Sequence, residues 1–187
     1  DELVFQLVLQ SRELAGGAER LRDLTERYGR LDGADLLRPF LEREFPGRIA
    51  LVSSFGAEAA VLLQMAAAID RSLPVIFLDT GKLFGETLRY RDRLQDELGL
   101  TDIRSIGPHP DDRANYDPEG TLWSKSTDAC CNFRKVVPLR RALEGFSAQI
   151  IGRKKFQTAA RAALEPVKYF EGLFRFKPLA EWTLADL

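Results

Sequence analysis

The stretch IALVSSFGAE, residues 49–58, decides the fold, because a short apolar run passes into small polar residues and then into a helix. Ile49–Val52 predicts a buried strand, and the Ala- and Leu-rich segment from Glu58 to Ile69 predicts a helix. The same order of strand, loop and helix recurs along the chain. Further strands are predicted at residues 74–78, 103–106 and 149–151, and helices at 18–28, 34–44, 85–98 and 132–143. This alternation predicts an α/β fold with a doubly wound, mostly parallel sheet. Leu3–Leu9 fits a helix or a strand.

Length and composition exclude several classes of protein. The chain has 187 residues, of which 45% are apolar and 29% charged, and it has two cysteines. These values are typical of one globular domain, here residues 1–187, and exclude a disordered chain, a collagen-like repeat and a disulfide scaffold. The apolar run Ala59–Ile69 is too short to cross a bilayer, which needs about 20 residues. The acidic start, Asp1-Glu2, lacks the basic region of a signal peptide, so we expect a cytoplasmic protein without a membrane partner.

Basic residues are concentrated in one part of a chain whose net charge is only −1. Between Ala129 and Arg161 there are eight Lys or Arg residues and one acid, Glu144. This excess predicts an anionic partner, although a solvated basic helix face gives the same pattern. A nucleic-acid partner is disfavoured, because the chain as a whole is not basic.

Two loops that follow predicted strands have the composition of nucleotide-binding turns. In Ser53–Glu58 the small residues let backbone N–H groups approach an anion at a helix N-terminus. The loop lacks the Gly-Lys-Ser/Thr of a Walker sequence, and a plain strand-to-helix turn is the alternative. The segment Leu78-Asp79-Thr80-Gly81 ends the next strand, where Asp or Thr side chains bind a ribose or a base edge. Its alternative is a helix cap.

The adjacent cysteines Cys130 and Cys131 are poor disulfide partners, because a bridge between neighbours strains the peptide that joins them. Two thiolates at the start of a predicted helix, followed by Arg134 and Lys135, suit an iron–sulfur cluster whose negative charge the cations balance. Such a cluster needs four ligands, and two buried thiols without a metal are the alternative. Cations also follow the fourth predicted strand, in Gly152–Gln157 and at Arg161, where they could hold a phosphate or sulfate.

Together and in this order, the four motifs resemble those of the assimilatory sulfonucleotide reductases, over about residues 49–187. This family comprises the adenylyl-sulfate (APS) reductases and the 3′-phosphoadenylyl-sulfate (PAPS) reductases. The resemblance implies an adenine-nucleotide α-hydrolase-like fold. It also implies reduction of APS to sulfite and AMP in sulfate assimilation, with thioredoxin or glutaredoxin as the donor.

The resemblance assigns roles to residues of this chain. It implies a substrate site formed by Ser53, Ser54, Phe55, Gly56, Ala57, Glu58, Leu78, Asp79, Thr80, Gly81, Gly152, Arg153, Lys154, Gln157 and Arg161. The first two loops would hold adenosine, and residues 152–161 the phosphosulfate. Cys130 and Cys131 would provide two of the four ligands of a [4Fe–4S] cluster, which marks the branch that mostly uses APS. Lys135 would link cluster and substrate electrostatically.

The family's nucleophilic cysteine lies in a C-terminal Glu-Cys-Gly segment, and its other two cluster ligands in a downstream Cys-x-x-Cys. Neither segment occurs up to Leu187, so we expect this chain to bind nucleotide without completing catalysis. Three alternatives stay open: a PAPS reductase, an ATP pyrophosphatase-type enzyme on the same fold, and a non-catalytic nucleotide-binding module. Ala57 stands where the ATP-dependent enzymes have Lys, which disfavours triphosphate chemistry. The oligomeric state, including a homo-oligomer, is also left open.

Overall fold

The computed structural model describes the backbone of residues 2–187 and the side chains of residues 15–187. In chain order the elements are α1 (Glu2–Tyr28), α2 (Gly33–Pro39), β1 (Ile49–Ser53), α3 (Ala59–Ile69), β2 (Val75–Leu78), α4 (Gly85–Leu98), β3 (Ile103–Ile106), α5 (Pro110–Tyr116), α6 (Leu122–Lys125), α7 (Thr127–Cys131), α8 (Val137–Ala142), β4 (Ala148–Ile151), β5 (Val167–Phe170) and β6 (Leu173–Phe176). Within the described part of the chain, no helix combines the length and the apolar character needed to cross a membrane.

The chain divides into two compact units, residues 50–145 and residues 1–49 with 146–187. The expected boundary of a single domain, residues 1–187, stays a prediction. In the first unit β2 lies between β1 and β3, and both pairings are parallel. Val75, Ile76 and Phe77 are buried because a central parallel strand is covered on both faces.

In the second unit β6 is parallel to β4 and antiparallel to β5. Glu171 and Gly172 make the tight turn of the β5–β6 hairpin, with φ angles of +51° and +77°. Left-handed backbone at both positions is the conformation that closes a two-residue hairpin. An aromatic cluster fills the core of this unit. Phe40 stacks on Phe176 with ring centroids 3.8 Å apart, and Phe45 packs 5.5 Å from the same ring.

The structure confirms the predicted α/β class with mostly parallel strands. It differs from the sequence-based expectations in three places and decides one segment that the sequence left open. The β5–β6 hairpin was not foreseen, and neither was α5 in the region that the sequence marks as turns. The segment left open between helix and strand, Leu3–Leu9, is part of α1.

The third correction concerns the cysteines. They do not start a helix, because helical structure begins earlier, at Thr127, where the hydroxyl of Ser126 accepts the N–H of Ala129 at 3.2 Å. The helical run continues through a π-helical turn, Asn132–Val136, into α8.

Candidate functional site

The loop after β1 turns on a residue in a rarely populated conformation. Phe55 has φ of +52°, in the left-handed region, which costs a residue with a side chain about 1–2 kcal/mol. Its buried ring meets Phe77 of β2 edge-on, with centroids 5.4 Å apart. Its N–H donates to the hydroxyl of buried Ser53 at 3.1 Å. Packing and this hydrogen bond therefore hold the turn in one shape.

The rest of this predicted loop is open to solvent. Ser54, Gly56, Ala57 and Glu58 are all exposed just before α3 begins. The loop thus presents small side chains and backbone amides at the carboxyl end of a strand, as the sequence predicts. The ring of Phe55 is buried in the core, so any ligand contact from this residue would come from its backbone.

The loop after β2 is shaped by its own side chains. A carboxylate oxygen of Asp79 accepts the N–H of Gly81 at 2.9 Å, and the hydroxyl of Thr80 accepts the N–H of Lys82 at 3.2 Å. Thr80 is buried, whereas Asp79 and the preceding Leu78 are partly exposed. Because β1 and β2 are neighbouring parallel strands, the structure brings this loop and the first one to the same edge.

A buried ion pair joins the loop after β2 to the helical run that carries the cysteines. Arg134, 4% exposed, donates to the backbone carbonyl of Thr80 at 2.6 Å and pairs with the carboxylate of Asp117, which is also 4% exposed. Asp117 accepts the N–H of Leu122 as well, at 2.9 Å. Burial raises the pKa of Asp117, but the hydrogen bonds from Arg134 and the backbone outweigh it and hold the pKa below its usual range. The nearby Arg134 is therefore committed to structure.

The cysteines meet half of the requirement for a four-iron cluster. Cys130 is partly exposed, Cys131 is exposed, and both thiols are free. Lys135, which follows the buried Arg134, is exposed. Among the residues that the structure describes, no group of three or more His, Cys, Asp or Glu side chains is placed to hold a metal. The two thiolates fit a [4Fe–4S] cluster by chemistry but do not complete its ligand set.

The predicted anion loop after β4 forms two short 3₁₀ turns, Lys155–Gln157 and Ala159–Arg161. Arg161 donates to the side-chain oxygen of Gln157, which also accepts the backbone N–H of Lys154 at 3.2 Å. The side chain of Lys154 is buried, with Nζ 3.4 Å from the carbonyl of Gly152. Arg153 is exposed. The structure thus brings these predicted residues together in one unit.

Two further cations of the same unit were missed by the sequence analysis. Partial burial, followed by the positive charges of Arg161 and Arg175, lowers the pKa of Arg153. Arg175 lies on β6 and Lys177 directly after it. A signal was present in the sequence, because Arg175 and Lys177 alternate with the buried rings of Phe174 and Phe176 at the period of a strand.

Lys177 is a buried cation beside a small cleft. Its side chain is 6% exposed, and Nζ donates to the backbone carbonyl of Glu165 at 2.5 Å. Burial is the largest cause that lowers its pKa to about 8, and the charges of Lys168, Arg153 and Arg175 lower it further against the opposing effect of Glu165. The cleft has a volume of about 70 Å³ and is also lined by residues 29–32, Pro166, Pro178, Ala180 and Glu181.

Comparison with known proteins shows the family to which this chain belongs. Residues 48–187 match the family model described as the phosphoadenosine phosphosulfate reductase domain. The chain is 48% identical to the adenosine 5′-phosphosulfate reductase of Mesorhizobium japonicum, over 91% of this chain and 67% of that protein. It is 44% identical to the enzyme of the same name from Chelativorans sp., over 88% of this chain and 67% of that protein. The chain thus spans about two thirds of the length of these relatives.

More distant similarities reach the PAPS reductases. The phosphoadenosine 5′-phosphosulfate reductase of Aliivibrio fischeri is 36% identical over 73% of this chain and 56% of that protein. The crystal structure of the PAPS reductase from Candida auris, a phosphate complex, has a TM-score of 0.73 with 24% identity and covers 89% of this chain and 81% of its own. That likeness shows a shared fold and confirms the predicted adenine-nucleotide α-hydrolase-like class.

Proposed function

We propose, from the premise that this chain belongs to the phosphoadenosine phosphosulfate reductase family, that it is the nucleotide-binding part of an enzyme that reduces APS to sulfite and AMP in sulfate assimilation. The match to the family model and to these relatives confirms the family that the sequence motifs indicate. The choice of APS rests on the two relatives above that are more than 40% identical, because both are named adenosine 5′-phosphosulfate reductases.

The two loops of the unit at residues 50–145 suit the adenosine part of this substrate. They stand at the carboxyl ends of neighbouring parallel strands, where open α/β sheets bind their ligands. The hydroxyl of Ser53 and the carboxylate of Asp79 already hold their own loops. A nucleoside would therefore meet surfaces whose shape is fixed before it binds, which lowers the entropy cost of binding.

The single observation that carries the proposal for the anionic end is the group of arginines around Arg153. Arg153 is exposed directly after β4 and has no carboxylate partner among the described residues, and the positive charges of Arg161 and Arg175 act on it. A bound phosphosulfate would neutralise these positive charges and accept charge-assisted hydrogen bonds.

The proposed reaction uses one cysteine of the enzyme and the two thiols of a reductant for each substrate. A cysteine thiolate attacks the sulfur of APS and displaces AMP, which leaves the enzyme with a thiosulfonate (R–S–SO₃⁻). One thiol of a dithiol of the thioredoxin or glutaredoxin class then attacks the sulfenyl sulfur, which expels sulfite and forms a mixed disulfide with the enzyme. The second thiol attacks this mixed disulfide, which returns the enzyme's thiolate and leaves the dithiol oxidised to a disulfide. We assign the nucleophile to the family's C-terminal segment. The residues of this chain bind and orient the nucleotide. The bound orientation must leave the sulfur atom of APS accessible to the attacking thiolate.

The iron–sulfur cluster is a further part of the proposal. Cys130 and Cys131 would supply two thiolates, and exposed Lys135 would add positive charge beside them. When bound, such a cluster would supply a large negative charge, and the positive charge of Lys135 would attract both the cluster and the substrate. The native protein purified without oxygen should then contain about four irons per chain. An iron-free protein from that preparation, with all cysteines titrating as thiols, would remove the cluster from the proposal.

Calorimetric titration of the chain with APS, PAPS, ATP and adenosine tests the nucleotide assignment. We expect APS to bind most tightly, and Arg153→Ala to weaken APS binding by about 1–3 kcal/mol, because a hydrogen bond between charged groups is lost. Arg38→Ala is a matched control, since Arg38 is an exposed arginine of the same unit that forms an ion pair with Glu42. Preferential binding of ATP would instead support a pyrophosphatase-type enzyme. Failure to bind any of these four compounds would refute the proposal.

A further inference from the structure

We infer that Arg113 binds the 3′-phosphate of PAPS, so that this chain accepts PAPS as a second nucleotide beside APS. This inference rests on the proposed function and deepens it, because it names a residue that distinguishes the two substrates. APS and PAPS differ only in that phosphate, which PAPS carries on the 3′ oxygen of its ribose. The residue that binds this phosphate must therefore lie where the ribose is held.

The turn after β2 is the part of this unit that suits a ribose. β2 lies between β1 and β3 in parallel pairings, which is the arrangement of the first three strands in dinucleotide-binding sheets. In those sheets an acid after the second strand accepts a hydrogen bond from a ribose hydroxyl. Asp79 stands at this place. One of its carboxylate oxygens accepts the N–H of Gly81 at 2.9 Å, and the other has no partner within the described part of the chain, so it can accept a hydroxyl.

The segment after β3 carries Arg113 to the same turn. The carboxyl ends of β2 and β3 lie at one edge, because the two strands are parallel neighbours. Gly107 permits a close approach of the two loops, since a Cβ there would lie 2.5 Å from the carbonyl oxygen of Asp79. The helix α5 begins at Pro110, and Nη2 of Arg113 on this helix lies 3.1 Å from the position that a Cβ of Gly81 would occupy. Arg113 and Asp79 therefore border the same turn.

The guanidinium of Arg113 is free to bind an anion. Its side chain is exposed and forms no hydrogen bond or ion pair with any residue from 15 to 187. The neighbouring Arg134 differs, because it is buried and paired with Asp117. Lys82, which directly follows the turn, is a second exposed cation without an ion-pair partner in the described structure. At this turn two unpaired cations thus accompany one carboxylate, that of Asp79.

A 3′-phosphate fits this arrangement by its charge. A phosphate monoester carries a charge of about −1.5 to −2 at pH 7, so Asp79 alone would repel it. Arg113 offsets this repulsion, and its planar fork of donors matches the oxygens of a phosphate. Dinucleotide-binding sheets use the same combination, in which an arginine near the ribose accommodates a phosphate on it. APS gains nothing from Arg113, because its ribose carries only hydroxyls.

Calorimetric titration with APS and PAPS isolates this contact, because the two nucleotides share every other group. Arg113→Gln should weaken PAPS binding about tenfold, the low end of the range for a hydrogen bond between charged groups, since Arg113 is exposed. It should leave the affinity for APS unchanged. Arg113→Lys should bind PAPS with an intermediate affinity, because it keeps the charge and loses the fork. Arg93→Gln is the matched control, since Arg93 is an exposed arginine of the same unit that pairs with Glu97 at 2.7 Å, and it should change neither affinity.

The possible outcomes separate this inference from the proposed function. An unchanged PAPS affinity in Arg113→Gln would overturn the inference, and so would an equal loss for APS and PAPS, which would place Arg113 at a group that both nucleotides share. A lower unfolding midpoint of this variant without ligand would overturn it by showing a structural role. Wild-type protein that binds APS but not PAPS would overturn it and leave the proposed function standing. Wild-type protein that binds neither nucleotide would overturn both.

Discussion

The two groups of site residues are built on opposite principles. In the loops after β1 and β2, the polar side chains bond to their own backbone, as Ser53, Asp79 and Thr80 do, and Arg134 is paired with a carboxylate. Around the loop after β4, Arg153 and Arg175 make no hydrogen bond or ion pair with the described residues. The first region is held mainly by its own hydrogen bonds and ion pair, although the Nε of Arg134 makes none, whereas exposed Arg153 in the second region has no ion-pair partner among the described residues.

This difference has a physical reason. A neutral nucleoside gains little from strong charges, so its surface is best fixed in advance by internal hydrogen bonds. An anion gains most from cations that have no other partner, since each competing carboxylate weakens its attraction. Unpartnered cations lower the free energy of unfolding of the protein without ligand. A bound anion raises it again, because a ligand that binds the folded state stabilises that state. Mutations should therefore act in opposite directions in the two regions.

The largest effect on stability is expected in the satisfied region. Arg134→Met should lower the free energy of unfolding by about 3–5 kcal/mol, because it leaves the buried carboxylate of Asp117 without its partner. Chemical denaturation at pH 7 measures this loss.

A pH series sharpens this prediction. The folded protein holds the pKa of Asp117 below its unfolded value, so the pair stabilises the fold above the unfolded pKa of about 4, and this contribution is lost as the pH falls through the lower folded pKa. The difference between wild type and Arg134→Met should shrink over that acidic range. A constant difference down to pH 2 would show that the cost lies in packing and not in charge.

An intermediate effect of the opposite sign is expected in the cationic region. Lys177→Met should raise the free energy of unfolding of the empty protein at pH 7 by about 1–3 kcal/mol, because a buried charge with a pKa near 8 is removed. Below pH 8 Lys177 is charged in the folded protein, and the burial of this charge lowers the free energy of unfolding by its full amount. As the pH rises from about 8 towards the unfolded value of about 10.4, that cost disappears, and so should the advantage of the variant.

Lys155→Met is the matched control, since Lys155 lies in the same unit and pairs with Glu181 at 2.5 Å on the surface. This variant should show no gain. Equal stability of wild type and Lys177→Met from pH 7 to pH 10 would contradict the view that this region is destabilised by its charges.

The smallest effect concerns the turn after β2. Gly81 and Gly47 both have φ of +68°, but a Cβ at Gly81 would lie 3.1 Å from a guanidinium nitrogen of Arg113, whereas nothing lies within 4 Å at Gly47. Each Gly→Ala change should cost about 1 kcal/mol for the left-handed backbone. Gly81→Ala should cost a few tenths more, and the excess should vanish in an Arg113→Ala background. Unequal costs in that background would show that the contact with Arg113 is not the cause.

Much of the fold could be read from local patterns. Each predicted strand was recovered to within one residue at either end, because short apolar runs between turn residues carry their own signal. The hairpin of β5 and β6 was missed, since its alternation of polar and apolar residues is short and its turn is Glu171-Gly172, not one of the Asn-Gly or Asp-Gly pairs that mark most such turns.

The sequence by itself determined the family, the fold class and the residue types at the ends of the strands, because these follow from spacing along the chain. Only the tertiary structure decided which cations are already used. Arg134 and Arg153 are the same residue type in sequence, yet Arg134 is tied to Asp117 while Arg153 faces Arg161 and Arg175. That distinction depends on residues 8 to 22 positions away along the chain, and a charge has no fixed partner until the chain has folded.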